Sequence, residues 1–90
     1  MNSRLSGAQI RAARALVRWS AADLADASAL GANTIRRAEV VDGETSLTAA
    51  NDQAVRRALE YAGVEFIAEN GGGPSVRLRK PASSSKSMIP

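Results

Sequence analysis

Apolar and polar positions divide the chain into a long helical part and a short extended part. The helical part opens with an apolar stripe at the spacing of one helix face, made of Ile10, Ala13, Leu16 and Val17. Ser6 followed three residues later by Gln9 is a capping box, which predicts that this helix starts near Gly7. Trp19 follows the stripe, and a Trp at such a place is expected to fill the core.

The next stretch, residues 20–39, predicts two short helices joined by a tight turn. Ser20 and Asp23 repeat the capping pattern at the start of the first of them, and the second is predicted over about residues 32–40. Leu30 is expected to fill the corner between the two helices. Apolar or small residues stand where two steeply crossing helices must meet, at Leu24, Ala25, Ile35 and Ala38.

A further helix is predicted after a polar connection. Residues 44–50 are interpreted as a loop with room for one helical turn. The helix is expected to begin near Asn51 or Asp52 and to end at Gly63, which supplies a left-handed cap. Its apolar stripe consists of Ala54, Val55, Ala58, Leu59 and Ala62.

The pattern then changes from helical to alternating spacing, which predicts a β-hairpin. Val64 and Phe66 alternate with acids, Val76 and Leu78 alternate with arginines, and residues 70–74 form the turn. The glycine run lacks the Gly-Lys-Ser/Thr ending of a phosphate loop, so a simple turn is the better interpretation. Residues 81–90 are too polar and too broken to fold and are predicted to be disordered.

Residues 20–39 resemble the helix-turn-helix of the phage repressor/Cro-like (XRE) family of transcription regulators. Their sequence is SAADLADASALGANTIRRAE. The resemblance covers residues 6–63, and GVEFIAENGGGPSVRLRK resembles the tail that follows this domain in many small bacterial members. The sequence departs from the family pattern at Ala29, where Gly is usual, and at Ala21, where the family has a Gln that anchors to DNA.

The resemblance implies a mainly α fold, a four to five helix repressor-like helix-turn-helix domain with a C-terminal β-hairpin. The expected organisation is a flexible lead-in over residues 1–5, the DNA-binding domain over 6–63, the hairpin over 64–80 and the disordered tail over 81–90.

Composition limits the size of the core and the kinds of site that the chain can form. The 90 residues make one small domain, and with one Trp, one Tyr and one Phe its core must come from smaller apolar residues. The chain has neither Cys nor His, so no disulfide, metal or other cofactor is predicted. No apolar run is long enough to span a membrane.

The net charge of +3 is unevenly distributed, because eight of the twelve basic residues lie in the two ends of the chain and all nine acids lie between them. An acid-poor first segment also fits a transit peptide, but the capping box and the following motif explain the same residues. Two basic ends around a mixed centre fit contacts with phosphates, although any single Arg can equally be a solvated surface residue. The arginines and lysines in question are Arg4, Arg11, Arg14, Arg18, Arg77, Arg79, Lys80 and Lys86.

The positions that contact DNA bases in this family correspond to Ala32, Asn33, Arg36 and Arg37 of this chain. Asn can pair with adenine and Arg with guanine, whereas Ala32 offers only a methyl group. Thr34 can reach a phosphate or a thymine methyl. Backbone N–H groups near Ser20 and Ala21 are expected to hold a phosphate, and three arginines of the first helix add attraction that is blind to sequence. Those three are Arg11, Arg14 and Arg18.

These observations predict a cytoplasmic, sequence-specific DNA-binding transcription regulator, expected to be a repressor and a homodimer on double-stranded DNA. The hairpin is the predicted joint between the two copies. The alternative is an antiactivator, a protein-binding module that uses the same scaffold to hold another transcription regulator. No enzyme is predicted, because the sequence offers no nucleophile with a base and no phosphate cradle.

Overall fold

Four helices and one antiparallel hairpin make up the part of the chain that the computed structural model describes, residues 4–67 and 71–79. The predicted mainly helical architecture with a C-terminal hairpin is confirmed at this level. The elements are α1 (Gly7–Val17), α2 (Ala21–Ser28), α3 (Ala32–Glu39), α4 (Ala49–Tyr61), β1 (Val64–Ile67) and β2 (Ser75–Leu78).

Side-chain caps fix where three of the helices begin, α1, α2 and α4. The Ser6–Gln9 and Ser20–Asp23 capping boxes are both formed, as predicted. The start of α4 was wrongly placed in the sequence prediction: Thr48 accepts a hydrogen bond from the Asn51 N–H and starts the helix at Ala49. Residues 44–48 contain no helical turn, so the described part of the chain has no fifth helix.

Left-handed residues end three of the helices. Gly63, with a φ of 112°, follows α4 as predicted. Arg18 and Ala29 follow α1 and α2 in the left-handed helical conformation, with φ values of 60° and 62°, which is unusual for residues with a Cβ. The chain therefore turns sharply on either side of α2.

The core lies between the helices and includes the predicted crossing of α2 and α3. Ala25 is only 5% exposed, and Ile35 is completely buried. Leu16, predicted to belong to the core stripe of α1, is 38% exposed, because the helix turns this position away from its neighbours. The buried apolar residues are Leu5, Ile10, Ala13, Leu24, Ala25, Ile35, Ala38, Leu47, Val55, Leu59 and Val64.

Leu5 corrects the predicted lead-in, because its side chain is 1% exposed and belongs to the core. Its N–H donates to the buried carboxylate of Asp52 at 3.1 Å, which ties the start of the chain to α4. Arg4 donates to the Leu47 carbonyl. The rest of the predicted lead-in, residues 1–3, and the predicted tail, residues 81–90, lie outside the described residues.

Glycine at position 7 lets α1 approach the end of α3. A Cβ at Gly7 would overlap the backbone carbonyl oxygens of Ala38 and Val41. The Gly7 N–H donates to the Gly43 carbonyl at 2.9 Å, so the backbone itself forms the contact. This approach holds the C-terminal end of α3 against α1.

The hairpin packs against α1 and α4, in the register Val64↔Leu78 and Phe66↔Val76. Val64 is completely buried, and Phe66 and Val76 pack against the core. Gln9, already part of a cap, donates from Nε2 to the Ser75 carbonyl at 3.1 Å. Leu78 remains 50% exposed, so the helices cover only part of the apolar face predicted for the hairpin.

Candidate nucleic-acid interface

Helix α3 has one face in the core and one in solvent. Ile35, Ala38 and Glu39 are buried, so the residues on the opposite side of the helical wheel must point outward. Asn33, Arg36 and Arg37 are all exposed. The structure thus brings three of the four predicted reading residues together on one surface.

Ala32 does not belong fully to that surface. Its methyl group is partly buried and packs against the core, because Ala32 is the first residue of α3 and directly follows the turn that joins α2 to α3. Gly31 precedes it without a side-chain cap, so the N–H groups of this turn receive no side-chain acceptor from the N-cap position. Ala32 can contribute to a ligand contact only through its backbone and the exposed part of its methyl group.

The polar side chains on the outer face differ in how they are held. Arg36 donates from Nη1 to the Asn33 Oδ1 at 3.3 Å, which links residues one helical turn apart. Neither Arg36 nor Arg37 forms an ion pair with any acid in residues 4–67 and 71–79. Two positive charges therefore face solvent without neutralisation by the described part of the protein.

A small polar cleft extends this surface beyond α3. Thr34 and Arg37 line it on one side, and Ser46, Thr48 and Asn51 line it on the other, around a volume of about 200 Å³. Sequence reasoning missed the last three because they belong to a loop and to the start of α4. The only signal was the run of hydroxyl residues between two elements, which is typical of any loop.

The start of α2 is less open than predicted. The Ser20 N–H donates to the Asp23 carboxylate at 2.9 Å, and the Asp23 N–H donates to the Ser20 hydroxyl at 3.0 Å. The predicted phosphate donor at Ser20 is therefore already used, and a negative carboxylate lies beside it. Ala21 is half-buried against the core, so its backbone N–H is what remains of the predicted site.

Two arginines of α1 have structural partners. Arg14 forms two hydrogen bonds to Glu39, from Nε at 2.6 Å and from Nη2 at 2.8 Å, and donates from Nη1 to the Trp19 carbonyl at 2.7 Å. The hydrogen bonds with Glu39 raise the pKa of Arg14 above its ordinary value, although burial opposes the shift. This guanidinium holds α1, α3 and the α1–α2 connection together.

Arg11 has a similar role nearer the surface. It donates to the carbonyl of Glu39 and forms an ion pair with Asp42 at 2.6 Å. Both arginines satisfy the backbone and acids at the end of α3, so the contacts in the structure give them a positioning role. Their attraction to phosphates stays a prediction. Arg18 differs, because it is exposed at the end of α1 and forms no ion pair with any described acid.

No family model matches the chain, and none of the curated proteins matches it significantly. Within the described residues, no helix combines the length and the apolar character that a membrane crossing requires.

Proposed function

We propose that the chain is a sequence-specific DNA-binding transcription regulator, a repressor that acts as a homodimer on double-stranded DNA. In this proposal α2, the turn at residues 29–31 and α3 form a helix-turn-helix of the repressor-like kind, and α3 enters the major groove. The observation that carries the proposal is the exposed row of Asn33, Arg36 and Arg37, whose two arginines have no acidic partner among the described residues.

The chemistry of this row suits base edges. An arginine presents two parallel N–H donors that match the O6 and N7 acceptors of guanine, and an asparagine matches the N7 and N6 groups of adenine. The hydrogen bond between Arg36 and Asn33 leaves the Asn33 amide N–H groups and the other Arg36 donors to face a ligand. Arg37, which has no such bond, is the stronger candidate for a bidentate contact with guanine.

Contacts with the DNA backbone are assigned to the edges of this surface. Thr34 and the hydroxyls of Ser46 and Thr48 border Arg37 and can donate to phosphate oxygens. The Ala21 N–H and the Arg18 side chain complete the set on the α2 side. Arg11 and Arg14 contribute indirectly, because they fix the end of α3 against α1.

The proposal is tested by titrating the full chain against a duplex from its own promoter and a random duplex of equal length, at low and at moderate salt. We expect tighter binding to the promoter at both salts, because base contacts, unlike phosphate contacts, release no counterions. Equal affinity for the two duplexes, together with a steep fall on adding salt, would contradict sequence-specific regulation.

A second candidate, the antiactivator that binds another regulator protein, is favoured by one observation. Asp23 places its carboxylate in the first turn of α2, where it occupies the Ser20 N–H and repels an approaching phosphate. The two candidates differ in a simple measurement, because an antiactivator of this kind shows no binding to either duplex at low salt. Asp23→Ser, which keeps a short capping side chain without charge, strengthens DNA binding only under the first proposal.

A further inference from the structure

The start of the chain runs alongside the loop that joins α3 to α4. We call residues 4–8 the N-terminal strap, and their backbone lies antiparallel to residues 42–46. The pairs that share a hydrogen bond or a β-bridge are Leu5 with Thr45, Ser6 with Glu44, Gly7 with Gly43, and Ala8 with Asp42. The loop therefore has a backbone partner along most of its length, and the same register places Arg4 opposite Ser46.

Arg4 closes the strap with its side chain. Its guanidinium donates to the Leu47 carbonyl, and its Nε lies 3.7 Å from the Glu44 carboxylate. These two partners stand on either side of Ser46 in the chain, so one side chain is anchored at both ends of the segment that carries Ser46. The Arg4 side chain is 35% exposed, so a substitution there removes these contacts without opening the core.

The segment that Arg4 holds presents hydroxyl groups to the proposed DNA surface. Thr45 and Leu47 are buried, whereas Ser46 and Thr48 are exposed. Such alternation is typical of an extended backbone, in which a small shift reverses the direction of each side chain. Ser46 and Thr48 line the polar cleft together with Arg37. The place of the Ser46 hydroxyl in this cleft therefore depends on how firmly the backbone of the loop is held.

We propose that Arg4 is a positioning residue for contacts with the DNA backbone. It holds residues 44–47 so that the Ser46 hydroxyl lies beside Arg37 before DNA binds. A segment that is already ordered in the free protein loses less conformational entropy on binding, which strengthens the complex. The inference rests on the proposed function in taking a DNA phosphate as the ligand, whereas the contacts of Arg4 do not depend on it.

Amide hydrogen exchange of the full chain without DNA tests whether Arg4 orders the loop. The Leu47 N–H donates to the Thr45 Oγ1 at 3.2 Å, so its exchange reports the order of this segment. We expect the Leu47 amide to exchange at least about threefold faster in Arg4→Met than in the wild type, while the amide of Leu59 in α4 is unchanged. Unchanged exchange at Leu47 would overturn the positioning role, with or without DNA binding.

The salt dependence of binding to a random duplex separates positioning from a direct contact. Loss of an Arg–phosphate contact lowers the slope of log affinity against log salt by about one, because fewer counterions are released. A neutral hydroxyl releases none, so we expect the dissociation constant of Arg4→Met to rise about three- to tenfold at an unchanged slope. A slope lowered by about one would make Arg4 a direct phosphate ligand and overturn the proposal.

A double-variant cycle identifies the group through which Arg4 acts. Ser46 is exposed, so Ser46→Ala removes the hydroxyl without disturbing the core. If Arg4 acts through this hydroxyl, Arg4→Met should weaken DNA binding much less in the Ser46→Ala protein than in the wild type. Fully additive losses would overturn the assignment. Arg79→Met, which removes one exposed positive charge from the hairpin, is the control and should be additive with Ser46→Ala.

Failure of the DNA-binding proposal gives a different result from failure of this one. A wild type that binds neither duplex at low salt would contradict the proposed function and overturn the role of Arg4 in DNA binding. The exchange of the Leu47 amide would still show whether Arg4 holds the loop. Normal DNA binding by Arg4→Met would overturn the positioning role alone and leave the proposed function intact.

Discussion

The guanidinium of Arg14 on α1 donates two hydrogen bonds, of 2.6 and 2.8 Å, to the carboxylate of Glu39 on α3. The pair is shielded from solvent, since the Arg14 side chain is 22% exposed and the Glu39 side chain 9% exposed. A bidentate, partly buried pair fixes direction as well as distance. The orientation of α3, and with it the proposed reading surface, therefore depends on a residue of α1.

Removal of Arg14 should destabilise the domain. In Arg14→Met the carboxylate of Glu39 stays buried without its partner, so we expect a loss of about 2–4 kcal/mol in the free energy of unfolding, measured by urea denaturation. Arg77→Met is the matched control, because it breaks an exposed pair with Glu65 and should cost far less. Equal losses in the two variants would show that the buried pair has no special role in the fold.

The crossing of α2 and α3 should reject a larger side chain at Ala25. Ala25→Leu is expected to lower the free energy of unfolding by about 1–3 kcal/mol or more, because the buried site has no room for the added atoms. Ala22→Leu makes the same change at an exposed position of the same helix and should stay within about 0.5 kcal/mol of the wild type. Similar melting temperatures for the two variants would place the helix crossing elsewhere.

The end of α2 offers a stabilising substitution. Ala29 has a φ of 62°, a left-handed conformation in which its Cβ is strained. Ala29→Gly should raise the free energy of unfolding by about 0.5–1 kcal/mol, since the relieved strain exceeds the entropy lost by a more flexible unfolded chain. The same change at Ala22, in regular helix, should instead destabilise by up to about 1 kcal/mol. A loss of stability in Ala29→Gly would contradict this conformation.

Sequence reasoning located the elements because their signals are local. Capping pairs, apolar spacing and Gly63 each depend on neighbours along the chain, and the structure places α1, α2 and the hairpin close to where they were predicted. The crossing residues Ala25 and Ile35 were also found, because small and apolar residues at the spacing of two steeply crossing helices are a local signal.

The missed features depend on contacts between distant segments. Leu5 enters the core only because Asp52 and α4 receive it, and the partners of Arg14 lie on another helix. An Arg that pairs with a buried Glu has the same sequence pattern as one that faces a phosphate. The polar cleft beside Arg37 likewise appears only when α3, the loop that follows it and the start of α4 come together.

The hairpin should show a pH-dependent contact. The hydrogen bond from Arg77, at 3.0 Å, and its charge lower the pKa of Glu65, with a smaller contribution from Arg79. A carboxylate whose pKa is lower in the folded than in the unfolded chain stabilises the fold above its ordinary pKa, and this contribution disappears as pH falls through the folded value. An NMR titration of the Glu65 side chain should therefore show a midpoint below the ordinary Glu value in the wild type.

That midpoint should rise towards the ordinary value in Arg77→Met, and added salt should produce a change in the same direction because both groups are exposed. A midpoint that is identical in the two proteins would contradict the Arg77–Glu65 contact.

The central claim is that α3 reads base edges, and Arg37→Ala tests it most directly. Fluorescence anisotropy compares the variant with the wild type on the promoter duplex and on a random duplex, with Arg79→Ala as a control for the loss of one exposed positive charge. We expect Arg37→Ala to weaken promoter binding by about 1–3 kcal/mol and random binding much less, while Arg79→Ala affects both duplexes slightly and equally. Unchanged promoter affinity in Arg37→Ala would contradict the account.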